Sequence, residues 1–163
     1  MSMTDVLLAV DHLKIRIGAH GPLAVNDLSF TIAPGEIVAL VGESGSGKTM
    51  AARAAIGLLP PPLEHCGGQV RFQGHDLNSL KPEQLRELRG AKIGMVFQEP
   101  MVSLNPSMSI GEQMAEGLRL HTKLTEAQIR ERSLEMLGHI GIKDAERCLA
   151  AFPHEFSGGQ RQR

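Results

Sequence analysis

At 163 residues, 42% hydrophobic and 21% charged, the chain carries enough apolar material for one core of modest size and is composed like an ordinary globular domain. A net charge of -1 and a pI near 6.7 leave no basic excess, which argues against nucleic acid as a partner. Cys66 and Cys148 stand far apart and outside any Cys-x-x-Cys, which offers neither a disulfide framework nor a zinc site and suits a reducing compartment.

In chain order, residues 6–32 alternate short apolar runs with turns: 6–10, 13–17, then 24–32 after Gly21-Pro22. Leu28, Phe30 and Ile32 alternate with Ser29 and Thr31, so this part is expected to be a small antiparallel β region. The run 6–10 is too short for a signal peptide or a membrane span, so a link to a membrane is expected to pass through a protein partner. The apolar stretch 37–41 reads as a buried parallel strand, and the residues from Met50 to Ala55 as a helix running towards Leu59, ended by Pro60, Pro61 and Pro62. A strand is expected at 69–73 with Gly74-His75-Asp76 as its turn, a short helix over 79–90, and a second apolar strand at 93–97.

After residue 98 the pattern changes to helices. Ile110, Met114 and Leu118 fall on one face, weakened by Gly117. Thr125 and Gln128 make a capping box, with Ile129, Met136, Leu137 and Ile140 as the buried stripe, Gly138 and Gly141 as the close, and Arg130, Glu131 and Arg132 as a solvated face.

Three motifs carry chemistry. Residues 42–49 read Gly-Glu-Ser-Gly-Ser-Gly-Lys-Thr between a predicted strand and a predicted helix, the context a phosphate-binding loop requires. Gly42, Gly45 and Gly47 let the backbone N–H groups, including those of Glu43, Ser44 and Ser46, converge on phosphate oxygens. Lys48 adds positive charge, the helix start at Thr49 and Met50 adds its dipole, and the Thr49 hydroxyl is a ligand for Mg²⁺. Gln98 follows the 93–97 strand and, beside a triphosphate, could reach Mg²⁺ or orient the attacking water. Ser157-Gly158-Gly159-Gln160 reads as a helix N-cap at Ser157, a tight glycine turn and a helix starting at Gln160; the same geometry presents N–H groups and a hydroxyl to an anion.

The loop at 42–49, Gln98, and the signature at 157–160, in that order with a helical insert between the last two, resemble the ATPase subunit of ABC transporters. Val-Gly-Glu-Ser-Gly-Ser-Gly-Lys, Phe-Gln-Glu-Pro-Met-Val-Ser-Leu-Asn-Pro and Phe-Pro-His-Glu-Phe-Ser-Gly-Gly-Gln are similar to the dipeptide, oligopeptide and nickel importers within that family. The resemblance spans essentially the whole chain. It implies an α/β P-loop NTPase fold of the ABC ATPase type, incomplete, with an N-terminal antiparallel β region and a helical insert. Residues 1–98 would be the ATP-binding core and β region, and 99–163 the insert ending at the signature. ATP and Mg²⁺ are the implied cofactors. Lys48 and Thr49 would hold phosphates and metal in cis, and Ser157 and Gly159, flanked by Gly158 and Gln160, would touch the γ-phosphate from a second ATPase subunit, identical or not. Gln98 and the insert would face transmembrane permease subunits at the cytoplasmic side of the membrane, with a substrate-binding protein contributing indirectly. A non-transport ATPase of the same type, or a short non-catalytic ATP-binding regulator, is the alternative.

The chain departs from the family pattern in three places. Ile17 stands where an adenine-stacking aromatic is usual, and Tyr and Trp are absent altogether, which leaves apolar contacts such as Val25 for the base. Phe156 replaces the leucine before the signature serine. The Asp-Glu strand that supplies the family's general base, and its switch histidine, do not occur in these 163 residues, and His154 reads as structural; the chain by itself is therefore expected to bind ATP weakly and hydrolyse it poorly or not at all.

Overall fold

A computed structural model describes residues 6–97 and 103–163, and the chain divides into two compact units, one up to Arg89 and one from Gly90 onwards. In the first unit, β1 (Leu8–Ile17), β2 (Leu23–Ile32), β3 (Leu63–Phe72) and β4 (His75–Asp76) form an antiparallel sheet in the order β2-β1-β3-β4. The runs expected as two strands at 6–10 and 13–17 are one strand with a bulge. His12 sits at φ 51°, and the pairing register of β1 shifts on both sides there. The extra residue changes the parity of the strand, so Val10 before it and Leu13 and Ile15 after it are all fully buried despite their odd spacing. Glycine is needed opposite: at Gly68 (φ +84°) a Cβ would lie 2.4 Å from the His12 carbonyl oxygen and 2.5 Å from that of Asp11. Side chains satisfy the displaced backbone. His12 N–H donates to Ser29 Oγ at 2.8 Å, and the His12 ring meets Asp27 Oδ1 at 2.6 Å.

α1 (Lys48–Ala55) packs on β1, β2 and β3 through Ala51, Ala54 and Ala55, whose small side chains allow a close approach of helix to sheet. It ends before Leu59, and β3 begins at Leu63, earlier than expected. His75 and Asp76 pair as β4 instead of turning, and α2 is shorter than the 79–90 expectation, spanning Pro82–Leu88.

Two expected strands do not form. Residues 37–41 follow no regular structure, with Ile37 97% and Val41 89% exposed; 94–97 are likewise irregular, with Val96 90% exposed. A parallel strand exists only through the ladder its neighbours provide. Among the described residues the sheet is wholly antiparallel and offers neither segment a ladder.

The second unit is helical: α3 (Ile110–His121), α4 (Glu126–His139), α5 (Ala145–Ala150) and α6 (Gly158–Gln162), with a 3₁₀ turn at Pro153–Glu155. Its helices are capped by the local code. Ser109 with Glu112 and Thr125 with Gln128 are reciprocal capping boxes, and Asp144 caps α5, which the periodicity did not announce. The α4 stripe is Ile129, Ser133 and Leu137, at i, i+4 and i+8; the Ser133 hydroxyl is tolerated inside because it donates to the Ile129 carbonyl at 2.9 Å. Met136 (45% exposed) and Ile140 (41%) were expected in that stripe but border an open apolar groove with Leu104, Met114 and Phe156. Ion pairs tie the helices on the outside: Arg119 donates twice to Glu126 (2.8 and 2.6 Å), and Arg130 to Glu146.

The Arg119 guanidinium holds the Glu126 carboxyl below the usual range, first by hydrogen bonding, and the Ser109 N–H does the same for Glu112. A lowered folded pKa contributes stability that is complete above the ordinary glutamate value of 4.5 and is lost as the pH falls through the folded value. Glu126→Gln is therefore expected to lower the thermal midpoint near pH 6, with the difference from wild type shrinking below about pH 4 and in molar salt, since the pair is exposed. Thr125→Ala is expected to cost about 1 kcal/mol at either pH in denaturant titrations followed by circular dichroism.

Candidate phosphate-binding site

Gly47 is the N-cap of α1, in a left-handed conformation at φ 88°, and Lys48 is the first helical residue. No side chain caps this helix and no acidic residue lies in its first turn, whereas α3, α4, α5 and α6 each begin under a side-chain oxygen. The first N–H groups and the positive dipole end of α1 are thus left for an external anion. The loop is pressed against β2: a Cβ on Gly47 would stand 2.8 Å from the Ala24 carbonyl oxygen and 2.9 Å from Val25 Cγ2. Gly45, at φ +83°, faces open space, so it is needed for its backbone rotation alone.

Across the mouth of the loop, Lys48 Nζ donates to the carbonyls of Gly42 (2.8 Å) and Glu43 (2.6 Å) and to Ser46 Oγ (3.3 Å), while Ser46 N–H donates back to Glu43 O (3.2 Å). These contacts fix the ammonium where phosphate oxygens can compete for it. The cavity beside it, about 300 Å³, is lined by Gly42, Ser46, Gly47 and Lys48 on one side and by Ala24 and Val25 on the other. Ser44, Gly45 and Thr49 are exposed, and Met50 is half-buried. Of the expected residues, Gly42, Ser46, Gly47 and Lys48 line this cavity and Glu43 meets Lys48 through its carbonyl, whereas Ser44, Gly45, Thr49 and Met50 do not line it. Ala24 was not foreseen, because only the close approach demanded by Gly47 reveals it. Val25 is buried (8% exposed) under that glycine, a wall of the cavity more than an open platform. Ile17, at the end of β1, is 41% exposed.

Gln98 lies outside the described residues. The signature belongs to the second unit. Ser157 Oγ accepts from Gln160 N–H at 3.3 Å, and Gln160 Oε1 accepts from Ser157 N–H at 3.0 Å, a reciprocal box. α6 starts at Gly158 and not at Gln160, so both glycines form the first helical turn in place of the tight turn expected. Ser157, Gly158, Gly159 and Gln160 are all exposed, and a Cβ on either glycine would meet nothing within 4 Å. Among the described residues there is no cluster of three or more His, Cys, Asp or Glu able to hold a metal, and no helix is long and apolar enough to cross a membrane.

Comparison with known proteins agrees with this geometry. The family model described as ABC transporter matches residues 25–163. The chain is 48% identical to the peptidoglycan transport ATP-binding protein YejF of Agrobacterium fabrum, over 98% of this chain and 30% of the relative. It is 44% identical to the oligopeptide transport ATP-binding protein OppD of Salmonella typhimurium, over 98% of this chain and 48% of the relative. It thus spans about a third to a half of the length of these relatives. Among solved structures it resembles the ATP-binding cassette MJ0796, determined as a dimer in a post-hydrolysis state with ADP and Pi, at TM-score 0.79 and 26% identity, covering 95% of this chain and 65% of that one. The fold is accordingly that of an ABC-type P-loop ATPase, present in part, and the chain belongs to the ABC transporter family.

Proposed function

We propose that the chain is the nucleotide-holding part of an ATPase subunit that powers an ABC importer of peptides. The observation that carries this reading is the uncapped N-terminus of α1 with Lys48 drawn across the loop, an arrangement suited to an anion such as a polyphosphate. ATP fits it: the loop N–H groups and Lys48 take the phosphate oxygens, and the exposed Thr49 hydroxyl completes the shell of a Mg²⁺ that the phosphates themselves carry. Bound ATP supplies a phosphoanhydride whose hydrolysis drives the transporter.

In this reading Ser157, Gly158, Gly159 and Gln160 cover the nucleotide of a second ATPase subunit, as the dimeric state of the MJ0796 cassette suggests. Two glycines in a helical first turn lower helix stability, by about 1 kcal/mol each relative to alanine, and no neighbour in the chain requires them. Close approach of an outside phosphate does. Gln98 serves the metal or the water, and with the helical unit it meets the permease subunits, which places the protein at the cytoplasmic face of the membrane. The name of the oligopeptide transport relative supports peptides as cargo, and no relative named above is a nickel importer.

Three outcomes are expected. Lys48→Ala weakens ATP binding roughly tenfold to a hundredfold in titration calorimetry, the worth of hydrogen bonds to a charged group. Gly47→Ala, which combines a forbidden φ with contacts under 3 Å to β2, costs more than about 1 kcal/mol of stability and loses ATP binding as well. The 163-residue chain on its own retains weak ATP binding with no Mg²⁺-dependent phosphate release, because the general base lies elsewhere in the family pattern; brisk turnover abolished by Lys48→Ala would refute this last point.

A further inference from the structure

With no Tyr or Trp, the chain's aromatic surface rests on five phenylalanines and its histidines. Phe72 is buried, and Phe30 and Phe156 are half-buried. Phe97 and Phe152 are the exposed ones, at 41% and 38%, and the Phe152 ring stacks on exposed His154 with centroids 5.9 Å apart and planes at 18°. The backbone beneath the pair is fixed. Pro153 is buried, Phe152 N–H donates to Glu155 Oε2 at 2.7 Å, and Glu155 N–H donates to the Phe152 carbonyl at 3.0 Å. Two rings are thus held side by side at the surface on a closed 3₁₀ turn, immediately before the Ser157 cap. The exposed part of the Phe152 ring and the His154 ring are ordered in advance, which favours recognition of a flat partner.

The phosphate loop has the opposite character. Its cavity is lined by Lys48 and apolar walls but by no aromatic ring, and neither Val25 in that wall nor Ile17 at the end of β1 has a π face. Stacking on an aromatic face is worth about tenfold or more in affinity per base. We propose that the Phe152–His154 stack of one copy is the platform for the adenine of the nucleotide held by the Lys48 loop of a second copy. This rests on the paired reading above, in which the neighbouring Ser157 reaches that same nucleotide. Phe152 gives the apolar face, and the His154 ring nitrogens stand ready for the polar edge of the base or for the ribose.

The test uses the full-length protein and 2-aminopurine riboside triphosphate, whose fluorescence falls on stacking, with sedimentation velocity reporting pairing. The expected result is quenching that accompanies pairing in the wild type and is relieved by Phe152→Leu, which keeps apolar volume without a π face. Phe152→Ala should weaken ATP-driven pairing roughly tenfold, and Phe152→Tyr should restore both signals. Unquenched wild-type dimers, or quenching that persists in Phe152→Leu and Phe152→Ala, overturn the platform. So does a defect of these variants confined to permease coupling, which would assign the rings to a protein partner. Ser157→Arg separates the two levels: if it abolishes pairing while Phe152→Leu changes nothing, the paired ATPase stands and the platform falls; if it leaves pairing intact, both fall.

Discussion

The approach of the Gly47 backbone to β2 is the constraint on which the rest of the first unit depends. α1 can start where it does only because no Cβ intervenes between Gly47 and the Ala24–Val25 segment. From that start the alanine face of α1, Ala51, Ala54 and Ala55, comes down on the sheet, and Lys48 is delivered to the loop's rim. The same contact leaves the helix without a side-chain cap. A serine or aspartate at that position would satisfy the first N–H groups internally, at the cost of the anion site.

The sheet that receives α1 has its own local irregularity, and the two are linked. β1 is the central strand and must turn Val10, Leu13 and Ile15 to one interior although their spacing is not even. The bulge at His12 solves this, and it requires Gly68 across the strand together with the Ser29 hydroxyl, which accepts from the displaced His12 N–H, while the His12 ring pairs with Asp27. Substituting Gly68 would meet two carbonyl oxygens at once, so its effect would pass through β1 to the surface on which α1 and the loop sit.

What could be read from the sequence follows the range of the interactions involved. The capping box at Thr125 and Gln128 and the Ser157 cap are settled within four residues, and both appear as expected. The box at Ser109 and Glu112 is equally local. Bulges and ladders are different. Nothing near His12 announces that residues 6–17 are nearly one strand, because the cause is Gly68 more than fifty positions away. Segments 37–41 and 93–97 have strand composition, but composition cannot supply a partner strand, and 37–41 and 94–97 remain irregular. The α4 stripe failed in a third way: periodicity admits Met136 and Ile140 to the buried face, whereas the position of α4 beside an open groove leaves both partly in solvent and turns Ser133 inward instead.

Glycine carries opposite messages at the two motifs. At Gly47 its need is internal, written in a left-handed φ and in the atoms a methyl would strike. At Gly158 and Gly159 the backbone is an ordinary helical turn and the space beyond each Cα is open, so alanine would fold better there. These are residues that the chain's own packing does not ask for, on an exposed helix start whose serine hydroxyl is engaged in the cap with Gln160. The proposed second nucleotide site supplies a reason for them, and it makes the phosphate loop and the signature two halves of one requirement distributed over two copies of the protein.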